Sequence, residues 1–424
     1  WLAIYLPDTG RGFIKDDYAW LLAAPLSSAP LSAAFTASTG FFRPLVSLSF
    51  TADYVLFGLD PLGYGLTNMA LALGCAAMIY LLARALGAGV TGAAAASAVW
   101  LFTPHGMDMA IIWISGRAAL IVIFFGVASC WMAARGRLAV SALLLGAALL
   151  GKDEAVVVPL LAAICIALSG RRLSRSALAA WAGGCLAAVA VYLWMRAASG
   201  ALTPSSAPVE YRPLTDIAGL AANAAQYADR LITFPLIIVA LAWLVMRGGR
   251  TPAPWRLVAG GLAWAAIAMA PTLAIPVRSS LYVLLPLAGV AIAAGAVIEA
   301  LVERASLAAR WRAAAAAIVI VTVAIPLYRS RQDEWSGAAR LSEDVTRVAT
   351  PVLKNAPDGS RVFARDEPGK VSLESTFGNL LPEMLRVTSG KTLPLATSRE
   401  QADYELAISH GGSRISVSLA PVPR

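Results

Sequence analysis

Charge is scarce in this 424-residue chain: 58% of its residues are hydrophobic and 14% are charged. Where charges cluster beside apolar runs, they mark chemistry. Lys15-Asp16-Asp17 comes first. Adjacent carboxylates repel, which raises one pKa and poises that carboxylate as a general base; a solvated loop accounts for the same residues. Arg43, in Phe42-Arg43-Pro44-Leu45, offers a guanidinium to a phosphate or pairs with an acid such as Asp53. His105, Asp108, Trp113 and Arg117 fall within fifteen residues, although a lone histidine is more often structural, and Trp113 also suits a membrane-interface anchor. Gly151-Lys152-Asp153-Glu154 places three charges between two apolar runs with almost no loop, so they must face a cavity or one another. Arg278, followed by Tyr282, is nearly the sole charge of its break, a second site for an anionic headgroup or a snorkelling side chain.

The elements that position these residues are apolar runs long enough for lipid. A soluble domain carries about 25% charged residues, so lipid must cover much of this chain, and the pattern predicts roughly ten or eleven transmembrane helices. The runs are Asn68–Ala85, Gly89–Phe102, Ile114–Ala134, Leu138–Leu150, Ala155–Ser169, Ala177–Trp194, Leu231–Met246, Leu257–Ile275, Leu281–Leu301 and Ala313–Leu327, with Trp1–Pro7 reading as the tail of a further helix. Alternate breaks hold Arg84; Arg135 and Arg137; Arg171, Arg172 and Arg175; Arg247, Arg250 and Arg256; and Arg304, Arg310 and Arg312. The positive-inside rule places these in the cytoplasm and every cluster named above on the outer face. The net charge of +9 is thereby spent on orientation, which argues against a nucleic-acid partner. Cys75, Cys130, Cys165 and Cys185 lie inside apolar runs without metal-site spacing.

Two regions follow: a membrane domain, 1–328, and a small α/β domain, 329–424. In the second, Ala338–Lys354 and Thr376–Val387 have helical spacing, and Arg361–Ala364 reads as a strand. Tyr404–Ser409 and Arg414–Leu419 alternate around a glycine turn as a hairpin. The region from Trp335 onward has the composition of a soluble unit that folds by itself. In the longest outer loop, Tyr211–Arg230 carries apolar residues at helical spacing and suits a helix lying flat on the membrane as a gate or cap.

In order and spacing these motifs resemble the GT-C membrane glycosyltransferases, in particular the protein O-mannosyltransferase-like branch that includes the transmembrane and tetratricopeptide repeat mannosyltransferases. The resemblance rests on Asp16-Asp17, Phe42-Arg43-Pro44-Leu45, Phe57-Gly58-Leu59-Asp60-Pro61 with Gly63-Tyr64 and Thr67-Asn68, Trp113-Ile114-Ser115-Gly116-Arg117, Gly151-Lys152-Asp153-Glu154 through Pro159, and Arg278 with Leu281-Tyr282. It implies a GT-C-like helical bundle, a polyprenyl-phosphate-linked sugar donor, and inverting transfer to an extracytoplasmic acceptor hydroxyl. It makes Asp16 or Asp17 the base, with Arg117, Lys152 and Arg278 neutralising the leaving phosphate. The chain departs from the family at Pro104-His105, where the family has the reverse order, at Met109 in place of a glutamate, and at Ala72 in place of a histidine. Tetratricopeptide repeats are missing.

A transporter or flippase, and an inactive membrane scaffold, are the competing readings. The first would show charge at mid-membrane and inverted repeats; the second has no use for Asp16-Asp17 or for Lys152-Asp153-Glu154. High Ala, Arg and Gly with few Lys suit a bacterial inner membrane with a periplasmic site. The sequence assigns no cofactor, and a divalent metal is an option if Asp16, Asp17, Asp108 and Glu154 converge.

Overall fold

The computed structural model of the chain describes residues 1–37, 39–203, 206–246, 254–367, 371–411 and 414–423. Four short helices open it: α1 (Leu2–Tyr5), α2 (Asp16–Ala23), α3 (Pro30–Ala34) and α4 (Pro44–Phe57). The bundle follows as α5 (Pro61–Ala85), α6 (Val90–Leu101), α7 (Met107–Ile112), α8 (Arg117–Ala134), α9 (Leu138–Gly151) and α10 (Val158–Ser169), then α11 (Arg175–Ala198), α12 (Ile217–Met246), α13 (Trp255–Leu273) and α14 (Leu284–Arg304). Helix α15 (Leu307–Leu353) leads into β1 (Val362–Asp366), α16 (Leu373–Phe377), α17 (Leu381–Ser389), β2 (Tyr404–Gly411) and β3 (Arg414–Pro421).

The starts follow local chemistry. Proline stands in the first turn of α3, α4 and α5, where its missing N–H costs nothing. Asp60, Ser174 and Ser306 cap α5, α11 and α15 with side-chain acceptors. Seven helical stretches among the described residues are long and apolar enough to cross a membrane, and the chain is an integral membrane protein. Others expected to span are shorter. At 1.5 Å per residue the twelve residues of α6 and of α10 extend only about 18 Å, against a hydrocarbon core of about 30 Å.

Helix α14 is the hub and is almost wholly buried. It contacts α13 where Gly261 and Gly289 meet: a Cβ on Gly261 would lie 2.3 Å from the Gly289 carbonyl oxygen. Backbones touch there because neither residue has a side chain. Trp100 of α6 and Trp264 of α13 donate from their indoles to the carbonyls of Leu284 (2.8 Å) and Leu285 (2.9 Å), which pins the first turn of α14 from both sides. The arginine-bearing breaks gather at one end, where Arg256 reaches the Ala167 carbonyl and Gly89 N–H donates to Glu299. Arg247 and Arg250 lie outside the described residues.

The expected flat helix over Tyr211–Arg230 is not separate. From Ile217 it runs unbroken into the membrane span as α12, because Pro235 sits inside the helix without stopping it. Ala338–Lys354 likewise belongs to the 47-residue α15, so the 328/329 boundary falls inside one helix. Thr376–Val387 divides at Gly378, whose φ of +56° ends α16. The strand and hairpin form as a three-stranded sheet, β1 parallel to β2 and β2 antiparallel to β3. The hairpin turn at Gly412 and Ser413 lies outside the described residues.

The C-terminal region does not own its core. One hydrophobic cluster contains Phe13, Tyr18, Trp20 and Leu21 of the first loop together with Leu341 and Val345 of α15, Phe377, Leu385 and Leu406. Lys15 N–H donates to the Thr376 carbonyl (2.9 Å), and the Tyr18 hydroxyl bonds Ser342 (2.7 Å). A fragment 335–424 made alone would present these surfaces to water. It is expected to lack a cooperative thermal transition and to bind a hydrophobic dye, measured by circular dichroism and dye fluorescence; a sharp transition without dye binding would show that the core is self-sufficient.

Candidate active site

Two buried anchors build the frame. Helix α2 is tied by Asp17, which has no exposed surface. Its carboxylate accepts from Ile14 N–H (2.8 Å), Ser115 N–H (2.7 Å) and the Ser115 hydroxyl. Burial lifts this carboxyl to about 7, with the three donors pulling the other way. The second anchor is Arg117, also fully buried. Its guanidinium pairs with Asp53 (2.6 Å) and donates to Asn68 Oδ1 (2.9 Å) and the Tyr64 carbonyl (3.0 Å), and it lies over the Phe50 ring. Thr67 donates to Asp53 (2.8 Å), and Asn68 donates to the carbonyls of Ala110 and Ile114. The Tyr64, Thr67-Asn68 and Trp113–Arg117 motifs are thus parts of one buried clamp. Arg117 is spent there rather than open to a phosphate.

A second group of charged side chains is linked through the field of Arg43. Asp16, half-buried, accepts no hydrogen bond among the described residues. Burial raises its carboxyl above the usual range, while Arg43 and Lys15 hold it back. Arg43 does not pair with Asp53, which Arg117 occupies. It stands 4.3 Å over the Phe41 ring, its Nε shielded and without a hydrogen-bond partner. Its charge acts on Asp16, Lys152 and Asp153. Proline at 44 keeps Arg43 (φ −138°, ψ 67°) out of the helix that follows. Lys152 pairs with Glu154 and lies 4.6 Å over the Tyr282 ring. Burial lowers its pKa, against the pull of Glu154. Contacts and charge effects link Asp16, Arg43, Lys152, Glu154 and Tyr282, which makes them the candidate residues of a site.

The remaining candidates stand off. Asp153 turns outward to Arg196 (2.9 Å) and the Tyr192 hydroxyl. His105 meets Arg331 of α15 (3.4 Å), and burial with Arg331 keeps its imidazole pKa low. Arg331 and Glu334 surround Asp108, whose carboxyl burial raises. Arg278, exposed, donates to Asn223 (2.7 Å) and lines a rim hollow with Asp108 and Arg331. Asp16, Asp17, Asp108 and Glu154 do not converge, and no group of three His, Cys, Asp or Glu that could hold a metal ion occurs among the described residues. Tyr211 escaped the sequence reading: its ring meets Phe41 at 5.8 Å, and it lies within the field of Asp16 and Arg43. Its signal was weak, one of two tyrosines in the longest outer loop.

This helical bundle, with a small three-stranded sheet at its C-terminal end, has the GT-C fold. The crystal structure of ArnT from Cupriavidus metallidurans, solved with undecaprenyl phosphate bound, superposes with a TM-score of 0.50 at 11% identity, covering 96% of this chain and 91% of that one. Mycobacterial arabinofuranosyltransferase AftD gives 0.49 at 14% identity, over 94% and 35% of the two chains. Among curated proteins, the Protein O-mannosyl-transferase Tmtc1 of Drosophila melanogaster is 31% identical over 195 residues, which is 39% of this chain. This chain covers 22% of that relative's length. No protein-family model matches. The chain therefore shares the fold of ArnT and, over 195 residues, is similar to a protein O-mannosyl-transferase.

Two outcomes follow from the anchors. Arg117→Ala strands the Asp53 carboxylate in the core and is expected to cost about 3–5 kcal/mol, read as loss of the folded protein in detergent thermal scans. Because the folded pKa of Asp17 is raised, the native state holds its proton up to about 7, whereas an unfolded aspartate releases it near 4. Stability should therefore fall as pH rises through that window, by at most about 1.4 kcal/mol per unit. Asp17→Asn should flatten the slope; a mutant slope equal to wild type would place the titration elsewhere.

Proposed function

We propose that the chain transfers a monosaccharide from a polyprenyl-phosphate carrier to an acceptor hydroxyl, with inversion, on the outer face of a bacterial inner membrane. The observation that carries this reading is a pairing of needs: among the described residues Asp16 accepts no hydrogen bond, and the shielded Nε of Arg43 has no partner. The face assignment rests on the arginine-bearing breaks at the opposite end.

In this mechanism Asp16, rather than Asp17, is the base. It takes the proton from the acceptor hydroxyl, and the freed oxygen attacks the anomeric carbon. The bond from that carbon to the phosphate oxygen breaks with its electron pair on the phosphate. Arg43 and Lys152 face that developing charge in a site screened from water, where fixed cations are most effective. Arg278 and Arg331 sit at the rim, where a carrier phosphate would pass. An apolar groove of about 570 Å³, bordered by Val99, Phe234, Ile298 and Val321 and ending at Tyr328 and Arg331, supports a lipid-linked donor. Arg117 enters only as the residue that holds α4, α5 and the Trp113–Arg117 turn in register.

Asp16→Asn is expected to lower sugar transfer from polyprenyl-phosphate donors by about 10²–10⁴-fold, measured with radiolabelled donor in membranes, while insertion and thermal stability stay near wild type. Transfer that survives this change removes Asp16 as the base. The base must be ionised to act, so kcat/KM should climb as pH rises through the raised Asp16 pKa, with its acid limb above that of an ordinary aspartate.

A further inference from the structure

Lys15 stands immediately before Asp16, and its backbone is strained. It has φ +48° and ψ −125°. Every other residue with positive φ among the described residues is a glycine. The left-handed helical well open to an L-residue needs ψ of about +30 to +60°, so Lys15 lies outside it. Glycine would adopt this geometry at no steric cost. A residue with a side chain keeps it only where the surrounding structure over-determines it.

The residues on both sides of Lys15 are fixed. Before it, the chain presses on α15: a Cβ on Gly12 would lie 2.4 Å from the Ala339 carbonyl oxygen. Ile14 has no exposed surface and packs on Ala338 and Ala339. After it, Asp17 is tied to Ser115. Ile14 and Asp17 also hold each other, since Ile14 N–H donates to the Asp17 carboxylate (2.8 Å) and Asp17 N–H donates to the Ile14 carbonyl (3.0 Å). Lys15 and Asp16 must therefore turn within a fixed span. Lys15 itself is gripped twice. Its N–H donates to the Thr376 carbonyl of α16 (2.9 Å), and its ammonium lies 4.8 Å over the Trp335 ring of α15. Trp335 stacks on Trp113 at 5.6 Å. Trp113 begins the turn that carries Ser115, so the contacts close a ring through Trp335, Trp113, Ser115, Asp17 and Lys15.

The lysine side chain offsets part of the strain, because an ammonium over an indole is attracted by the ring. The turn lies in the first loop, yet both of its direct supports belong to the C-terminal region. We infer that Lys15 is the positioning residue of Asp16: α15 and α16 brace it in a strained turn, and that turn keeps Asp16 partly exposed while Asp17 faces Ser115. Without the brace Lys15 relaxes to negative φ, helix α2 starts in another direction and the Asp16 carboxylate leaves its place. The inference rests on the reading of Asp16 as the base. It gives the C-terminal region a share in catalysis that it exerts through the first loop.

The test compares Lys15→Ala, Lys15→Gly and Lys15→Arg in the full chain in lipid nanodiscs. Sugar transfer is measured with radiolabelled polyprenyl-phosphate mannose and arabinose, and amide hydrogen exchange over residues 12–18 is followed by mass spectrometry. Lys15→Ala keeps the strain and loses the hold on Trp335. It is expected to lower kcat about tenfold or more, with the donor KM within about twofold of wild type. Exchange protection over the segment should fall about tenfold with it. Lys15→Arg keeps a cation on the ring and should stay within about threefold of wild type. Lys15→Gly lacks the ammonium but adopts the turn freely, so it should recover most of the lost kcat and the wild-type protection. Wild-type kcat in Lys15→Ala overturns the inference. So does a Lys15→Gly as slow as Lys15→Ala, which would make the charge rather than the turn the cause, and so does a slow Lys15→Ala with wild-type exchange. A wild type that transfers neither sugar removes the glycosyl-transfer reading for these donors, and exchange then decides alone. Protection lost in Lys15→Ala and kept in Lys15→Gly supports Lys15 as the brace of α2; equal protection in all four proteins overturns it.

Discussion

A guanidinium with no exposed surface holds the mouth of this protein together. Arg117 meets Asp53 from α4, Asn68 and the Tyr64 carbonyl from α5, and the Phe50 ring. A charge so placed is tolerable only if every donor finds a partner. That demand fixes two helices and the turn before α8 in one arrangement. Asp17 repeats the device one step outward, tying α2 to Ser115, the residue two before Arg117. The position of Asp16 is a by-product: with its neighbour anchored, its own side chain is left partly exposed. Lys15, held at a φ of +48° with its ammonium over Trp335, completes the constraint on that side.

The same economy explains why the C-terminal region packs where it does. The first loop is too short to bury Phe13, Tyr18 and Trp20 by itself. Helix α15 therefore continues past the membrane and brings Leu341 and Val345 to them, with the sheet and α17 behind. Stability and positioning use one cluster: the surface that hides the aromatic residues of the loop also holds the helix that presents Asp16. Glycines do comparable work deeper in the bundle. Without side chains at Gly261 and Gly289, α13 and α14 approach closely enough for Trp264 to reach the Leu285 carbonyl next to Tyr282.

Much of this was legible in the chain itself. Apolar runs gave the bundle because a membrane forces every backbone group to be satisfied within its own helix, so hydropathy alone reports the spans. Proline and capping residues marked several starts for equally local reasons. The alternation of Tyr404–Ser409 and Arg414–Leu419 announced the hairpin, and the order of the charged clusters announced the resemblance to the GT-C glycosyltransferases. The misjudged elements, the flat helix before α12 and the separate helix at Ala338, are places where a helix continues through a change in polarity. Periodicity does not record a break that the backbone never makes.

What the sequence determined by itself was therefore the solvent the chain lives in, the order of its helices and the set of residues able to do chemistry. Which of them are free to do it was decided only by the tertiary structure. Asp16 and Asp17 are neighbours of one type, yet the second is consumed by Ser115, 98 positions away. Asp53 offered itself to Arg43 in the sequence, yet in the fold it pairs with Arg117. The reason is physical. The availability of a charged group depends on the donors and acceptors within about 3 Å of it, and those arrive from segments that no local pattern connects.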